Sequence, residues 1–390
     1  MDNFLPFALP LIGDDEISEV VDTLKSGWLT TGKKTAQFEN DFAEFVGASN
    51  ALAVNSATSG LHLALEAIGV GKGDVVITTP YTFTATAEVI RYLGADPVLV
   101  DIDPRTFNID PALIRKEIAK LDNVKAILPV HFAGQACEMD EILSIAKESD
   151  IKVVEDAAHA LPTTWKGQTI GSISDITVYS FYVTKTIATG EGGMITTENK
   201  DYLSRMKTMR LHGINRDVFD RYTSDKPSWF YEVVEPGYKY NMTDVAASIG
   251  IHQLKKANDF QERREWIATQ YTEAFIDLPL ATPFVAYPEE THAWHLYVLQ
   301  LDLSSISVDR DKFIELMVEE GIGTSVHFIP LHLHPYWRDR YDYKADDFPV
   351  ALDVFTRAVS LPIYPKMTDL EVERVITAVK KVCGSVIRND

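Results

Sequence analysis

The sequence predicts an α/β fold: a mainly parallel, seven-stranded sheet with helices on both faces, followed by a smaller C-terminal α+β unit. Three observations carry that expectation. Seven short runs of apolar and β-branched residues recur through the first half of the chain. The early intervals between them are long enough for helices and space their apolar residues helically, the pattern of strands joined by crossover helices. After about residue 240 this alternation gives way to one long helical pattern.

The elements follow in order. Glu16 to Leu24 and Leu61 to Ile68 both place apolar residues at helical spacing. The seven runs are Ala51 to Asn55, Val75 to Thr79, Pro97 to Val100, Ala126 to His131, Lys152 to Glu155, Ile176 to Phe181 and Met194 to Thr197. Runs apolar on both sides suit strands buried by helices above and below. The glycines between Phe181 and Gly193 predict a loop. Thr243 or Asp244 caps a helix running through Ala274. Beyond it come a strand at Trp294 to Leu301, a helix at Arg310 to Glu320, a strand at Gly323 to Phe328 and a closing helix at Asp369 to Cys383. This reading places a large α/β domain at residues 1–245, and the linking helix with a small α+β domain at 246–390.

Composition narrows the function. The 390 residues are 46% hydrophobic, enough for a substantial core. A formal net charge of -20 repels nucleic acid and anionic membranes over most of the molecule. A ligand carrying phosphate therefore needs local donors. Cys137 and Cys383 lack disulfide or metal-site spacing, which fits a reducing cytoplasm. Met1, Asp2 and Asn3 do not open an export signal, and no segment is apolar for long enough to span a bilayer. There is no GxGxxG turn directly after a strand, no P-loop and no HExxH, so nicotinamide, nucleotide-triphosphate and zinc-protease chemistry are poor readings. His292 and His295 flank Trp294 in an expected strand, fall on opposite faces and read as structural; His332 and His334 lack a further ligand, and no metal is expected.

Three segments carry the chemistry. Asn55-Ser56-Ala57-Thr58-Ser59-Gly60 follows a strand and opens a helix. Unpaired N–H groups there, with the Thr58 and Ser59 hydroxyls, suit a phosphate; an ordinary helix cap explains the same residues. Val153 to His159 is a strand ending in Glu155 and Asp156. Just past a strand's carboxyl end, Asp156 faces the ligand crevice of such a sheet and is placed to meet a cationic ring nitrogen, or else to cap a helix. Tyr179 to Lys185, followed by Thr186 to Gly193, delivers Ser180 on a strand and Lys185 on a glycine-rich loop. A lone lysine is usually a solvated surface charge; these neighbours argue otherwise.

The segments SFYVTKTIATGEGG, EDAAHA, NSATSGLHLAL, TPYTFTATAEVI, RMKTMRLHG and GYKYNMTD together resemble the DegT/DnrJ/EryC1/StrS family of sugar aminotransferases over nearly the whole chain. Within it, SGWLTTG, HAWHLYV and GIGTSVHF are most similar to the enzymes that make UDP-4-amino-4-deoxy-L-arabinose. The resemblance implies the pyridoxal-phosphate-dependent transferase fold of type I. It implies that Lys185 binds pyridoxal 5'-phosphate covalently, Asp156 pairs with its ring nitrogen, His159 lies near its phenolic oxygen and Phe83 stacks on its ring. Thr58, Ser59 and Ser180 would hold the phosphate, and Asn241 would reach in from a second subunit, which implies a homodimer with shared sites. Thr31, Tyr182, Lys239 and His327 are the candidates for contact with the sugar nucleotide, and a structural histidine explains His327 equally well. Three positions depart from the commoner family pattern: Thr186 stands where Asn is frequent, Tyr182 where a His is, and His159 where Gln is usual.

The residues suit transamination. A lysine whose ammonium is destabilised by its surroundings can hold the cofactor and then move a proton. An ionised Asp156 keeps the ring nitrogen protonated, so that the ring acts as an electron sink. By resemblance, L-glutamate is the donor, leaving as 2-oxoglutarate and the cofactor as pyridoxamine 5'-phosphate, and a nucleotide-linked 4-keto sugar accepts the amine. The first expectation for that sugar is a UDP-4-keto-pentose, the second a UDP-linked 6-deoxy-4-keto hexose, N-acetylated or not. A regulatory or binding protein of the same fold is the alternative outside enzymes.

Overall fold

Each of the seven apolar runs becomes a strand in the computed structural model, which describes residues 4–215 and 230–388; Met1, Asp2 and Asn3, read above for an export signal, lie outside them. The strands are β1 (Ala51–Val54), β2 (Val75–Thr78), β3 (Asp96–Leu99), β4 (Val124–Ile127), β5 (Lys152–Asp156), β8 (Ile176–Ser180) and β9 (Gly193–Thr196). A small hairpin, β6 (Thr164–Trp165) and β7 (Gln168–Thr169), intervenes between β5 and β8. The sheet order is β1-β9-β8-β5-β4-β2-β3. Only β9 runs against its neighbours, β1 and β8; the other pairings are parallel.

Alternate residues of each strand feed two cores. Ala53, Ile77, Ile127, Val153, Tyr179 and Met194 face one side, where the helices Lys33–Val46, Met139–Glu148 and Asp244–Lys255 bring Phe38, Ile142 and Ile251. Val54, Val76, Ala126, Val154, Val178 and Ile195 face the other, under the helices Ala57–Ala67, Ala85–Tyr92 and Lys200–Met209. Burial on both faces is why these runs are apolar without alternation.

A third core surrounds the antiparallel sheet β10 (Leu280–Ala281), β11 (Tyr297–Leu301) and β12 (Ala358–Leu361), closed by the helices Ala257–Phe275, Arg310–Glu319 and Asp369–Val386. Leu5 joins this core and bridges to Ile322, so the chain's beginning packs with its C-terminal part.

Three details differ from expectation. The linking helix is broken at Lys256, whose side chain turns to the buried Glu16 carboxylate at 2.9 Å. Thr243 caps the first half by accepting from the Ala246 N–H, while Asp244 accepts from Gly32, Lys34 and Thr35 at the start of a different helix. The expected strand at Trp294 begins only at Tyr297, because Trp294 takes a φ of 46° and the Arg264 guanidinium draws the Trp294 and His295 carbonyls to itself. Gly323 to Phe328 is not a strand: Gly323 donates to Leu5, Ser325 makes one bridge to Ser360, and the segment runs on to form a wall of a cavity. No helix among the described residues is long and apolar enough to cross a membrane.

Candidate active site

The carboxyl ends of β1, β2, β4, β5 and β8 open onto one cavity of ≈ 480 Å³. In open α/β sheets this edge is where ligands bind, because the chain turns away there and leaves a crevice. Thr58, Phe83, Asp156, His159, Ser180, Tyr182, Lys185 and His327 all line it.

Asp156 ends β5 and is buried. Its carboxylate accepts from Thr86 Oγ1 at 2.8 Å and from the Ala158 N–H at 3.1 Å. Burial pushes its pKa up, against those donors and the nearby Lys185 charge. Among the described residues no salt bridge reaches it, so this desolvated carboxylate has a cation nearby in Lys185 but none in contact.

Lys185 sits in the loop after β8, its own N–H bonded to the Tyr182 carbonyl at 2.8 Å. Desolvation pulls its pKa down to about 8, partly opposed by the Asp156 charge. Near physiological pH the neutral fraction of this amine is still a minority but far larger than an ordinary lysine's, as a nucleophile and proton carrier needs.

His159 accepts the Ala133 N–H on Nδ1 at 3.3 Å, which leaves Nε2 as its protonated nitrogen. Burial, Lys185 and His327 hold its pKa well below the ordinary value, so it is a neutral hydrogen-bond donor. His295, read as structural from its spacing, instead lines the cavity with its ring centroid 4.3 Å from that of His159. The spacing argument failed because no strand exists at that position. His327 bonds Ser360 through Nδ1 at 2.9 Å, stacks on Phe7, and has its pKa pushed down to about 3 by burial.

The helix Ala57–Ala67 points its N-terminus at the cavity, and Ser56, Ala57 and Thr58 line it. Gly193 permits this approach: a Cβ there would lie 2.8 Å from the Ala57 nitrogen. Ser59 is placed differently from the expectation. Its hydroxyl turns into the protein and donates to Asn55 Oδ1 and the Ser56 carbonyl, while its N–H is capped by Ser56 Oγ. Thr82 and Thr86, joined by a 2.8 Å bond, were missed; two threonines four apart at a helix start carry no signal until Asp156 is seen above them.

Thr31, Lys239 and Asn241 do not line this cavity. They meet elsewhere: Lys239 Nζ donates to Asn241 Oδ1, and Asn241 Nδ2 donates to Thr31 Oγ1 at 2.7 Å. Among the described residues no group of three His, Cys, Asp or Glu is arranged to hold a metal.

The donor set can be tested against a ligand. An amine of lowered proton affinity asks for a carbonyl, a desolvated carboxylate asks for a cation, and a helix N-terminus asks for an anion. Pyridoxal phosphate meets all three, and the fold is that of a pyridoxal-phosphate-dependent transferase of type I. Comparison with known proteins makes this specific. The chain belongs to the DegT/DnrJ/EryC1/StrS aminotransferase family, whose model matches residues 10–380. It is 54% identical over 382 residues to the uncharacterized protein MJ1066 of Methanocaldococcus jannaschii, covering 98% of each chain. It is 52% identical over 382 residues to the spore coat polysaccharide biosynthesis protein SpsC of Bacillus subtilis, covering 97% of each. A sugar aminotransferase of Streptococcus pneumoniae, Spr1654 in its pyridoxamine phosphate form, superposes with a TM-score of 0.90 at 34% identity, covering 98% of this chain and 99% of that one. PseC of Helicobacter pylori, an aminotransferase in pseudoaminic acid biosynthesis, gives 0.90 at 27% identity, covering 98% and 100%. The chain is a pyridoxal-phosphate-dependent sugar aminotransferase.

Proposed function

We propose that the chain moves the amino group of L-glutamate to the 4-keto carbon of a nucleotide-linked sugar, with a UDP-4-keto-pentose as the acceptor and UDP-4-amino-4-deoxy-L-arabinose as the product. The observation that carries the reading is the pairing of Lys185, its pKa near 8, with the desolvated Asp156 in one cavity. Bound pyridoxal phosphate supplies the carbonyl and the electron sink. Lys185 Nζ takes the proton from the amine-bearing carbon and returns it on the other side of the exchange. Asp156 holds the proton on the ring nitrogen, and the Thr86 hydroxyl fixes that carboxylate. His159 Nε2–H donates to the phenolic oxygen, and Phe83 covers the ring. Thr58 and Ser180, with the first N–H groups of the helix, take the phosphate. Tyr182 and His327 face the sugar.

Thr31, Lys239 and Asn241 serve the site of a second copy in this reading. Two surfaces support a homodimer: Ile17, Val21 and Leu24 form an exposed stripe on the helix Asp14–Ser26, and Phe230, Val233 and Val234 are exposed close in sequence to Lys239.

A second acceptor, a UDP-linked 6-deoxy-4-keto hexose, is favoured by Phe7, Phe328 and Ile363 in the cavity wall, which offer apolar contact to a methyl group. The experiment is to mix cofactor-loaded protein with UDP-4-amino-4-deoxy-L-arabinose, with a UDP-linked 4-amino-6-deoxyhexose and with L-glutamate, following the cofactor's visible band. Conversion by the pentose supports the first acceptor. Conversion by the hexose alone replaces it with the second. Conversion by glutamate alone sinks both.

A further inference from the structure

Strand β5 ends in two successive carboxylates that leave on opposite faces. Asp156 lines the cavity, whereas Glu155, which the chemistry above leaves idle, is fully buried in the core. It accepts from Ser174 Oγ at 2.6 Å, from Thr177 Oγ1 at 2.8 Å and from the fully buried His131 at 2.7 Å. His131 Nδ1 accepts the Cys137 N–H at 3.0 Å, which leaves Nε2 to carry the proton that faces Glu155.

What this pair holds is a turn. The His131 ring ties residue 131 to residue 137, and the His131 N–H donates to the Asp156 carbonyl at 3.2 Å, which registers the turn against β5. Asn108 grips it from another side: Oδ1 accepts the Phe132 N–H at 2.8 Å, and Nδ2 donates to the Gln135 and Ala136 carbonyls at 3.2 and 3.0 Å. In its middle Ala133 is kept at a φ of 57°, a left-handed conformation that alanine adopts only where its surroundings impose it. The Ala133 N–H is the donor to His159 Nδ1. The Ala133 and Gly134 carbonyls accept from Leu296 and Ala293, on either side of His295. One turn thus supports both cavity histidines that meet.

We propose that Glu155 and His131 are positioning residues for the transamination site: through the 131–137 turn they aim His159 at the cofactor's phenolic oxygen and so set how tightly the bound chromophore holds its proton. The inference rests on the reading of His159 as the donor to that oxygen. A donor there draws charge from the oxygen and loosens the chromophore's proton, so a misaimed His159 raises the pH at which the visible band changes.

Glu155→Gln tests this with little change of shape. With its amide oxygen kept by Ser174 and Thr177, the new side chain presents N–H groups to His131 Nε2–H. A His131 that turned a bare nitrogen to the amide would carry its proton on Nδ1, against the Cys137 N–H. Either way the turn loosens.

The visible band of cofactor-loaded protein is titrated against pH in wild type, Glu155→Gln, His159→Leu and the double variant. Lys185, Asp156, His295 and His327, the other titratable groups around His159, keep their identity in all four. Glu155→Gln and His159→Leu should each raise the midpoint by about half a unit to one unit, the scale of a weakened hydrogen bond to a charged group. The double variant should match His159→Leu, because two changes acting through one contact do not add. Asn108→Ser loosens the same turn from its other side, should move the midpoint the same way, and replaces Glu155→Gln in the comparison if that protein does not retain cofactor. A midpoint moved by His159→Leu but not by loosening the turn overturns the positioning role and leaves the His159 reading standing. A Glu155→Gln shift that persists in full on top of His159→Leu shows that Glu155 acts by its charge and not through the histidine, which also overturns it. A midpoint unmoved by His159→Leu removes the His159 reading and the proposal with it.

Discussion

Asp156 and His159 are buried and Lys185 half-buried around one cavity, whereas Thr31, Lys239 and Asn241 meet outside it on a partly exposed surface of the same chain. In the first group burial sets the chemistry. It raises the carboxyl pKa, lowers the amine to about 8 and keeps the imidazole neutral. The second group satisfies itself: lysine to amide, amide to hydroxyl, hydroxyl to the Met242 carbonyl at 2.5 Å. One set is preorganised by bonds to Thr86, Ala158 and Ala133 and keeps His159 Nε2–H for a ligand. The other is satisfied within its own chain, and its proposed task lies beside a second copy.

The sharpest break of that contrast is Lys185→Ala. Turnover should fall by about 10⁴-fold or more, beyond the usual span of a single acid–base group, and borohydride should no longer fix the cofactor to the chain. A variant turning over at the wild-type rate would end the assignment. Asp156→Asn comes next, with kcat lower on the order of 10²–10³-fold, the loss for removing a preorganised charge partner. Thr86→Val should cost less, about tenfold to a hundredfold, as expected for one hydrogen bond to a charged group. If Thr86→Val were silent, the carboxylate would be oriented by Ala158 alone.

Mixing two inactive proteins tests the other side. Lys185→Ala and a Thr31→Ala/Asn241→Ala double variant should each be impaired alone, and reassociation after mild dissociation should restore activity, because some heterodimers regain one intact site. No recovery, with heterodimers present by mass, would place these polar residues outside the partner's site.

The smallest effect is on stability without cofactor. Folding costs Lys185 its proton affinity, so the lysine penalises the folded state while it is protonated in both states, below about pH 8. The penalty fades as pH rises toward the unfolded value of 10.5. Cofactor-free Lys185→Met should therefore melt higher than wild type near neutrality, by roughly 2–4 °C, and that advantage should shrink between pH 8 and 10.5. An advantage that grew with pH would contradict the sign of the shift.

Much of this was legible beforehand. The seven runs became the seven strands because burial on both faces demands uninterrupted apolar residues, a one-dimensional signal. Asp156, Ser180 and Lys185 were legible because a strand's end is a fixed address in such a sheet. The direction of the Ser59 hydroxyl, toward Asn55 and the Ser56 carbonyl, was not legible, because it depends on neighbours in the turn and not on residue type. His295 was misread because its strand never starts, and what stops it is Arg264, thirty-one residues earlier in the chain.

By itself, then, the sequence determined the sheet through local pattern, and singled out the lysine and Asp156 through strand position together with the family resemblance. Tertiary structure alone decided how acidic each group is and which histidines meet. Proton affinity depends on the water and charges removed around a group, and those are brought by residues distant in the chain.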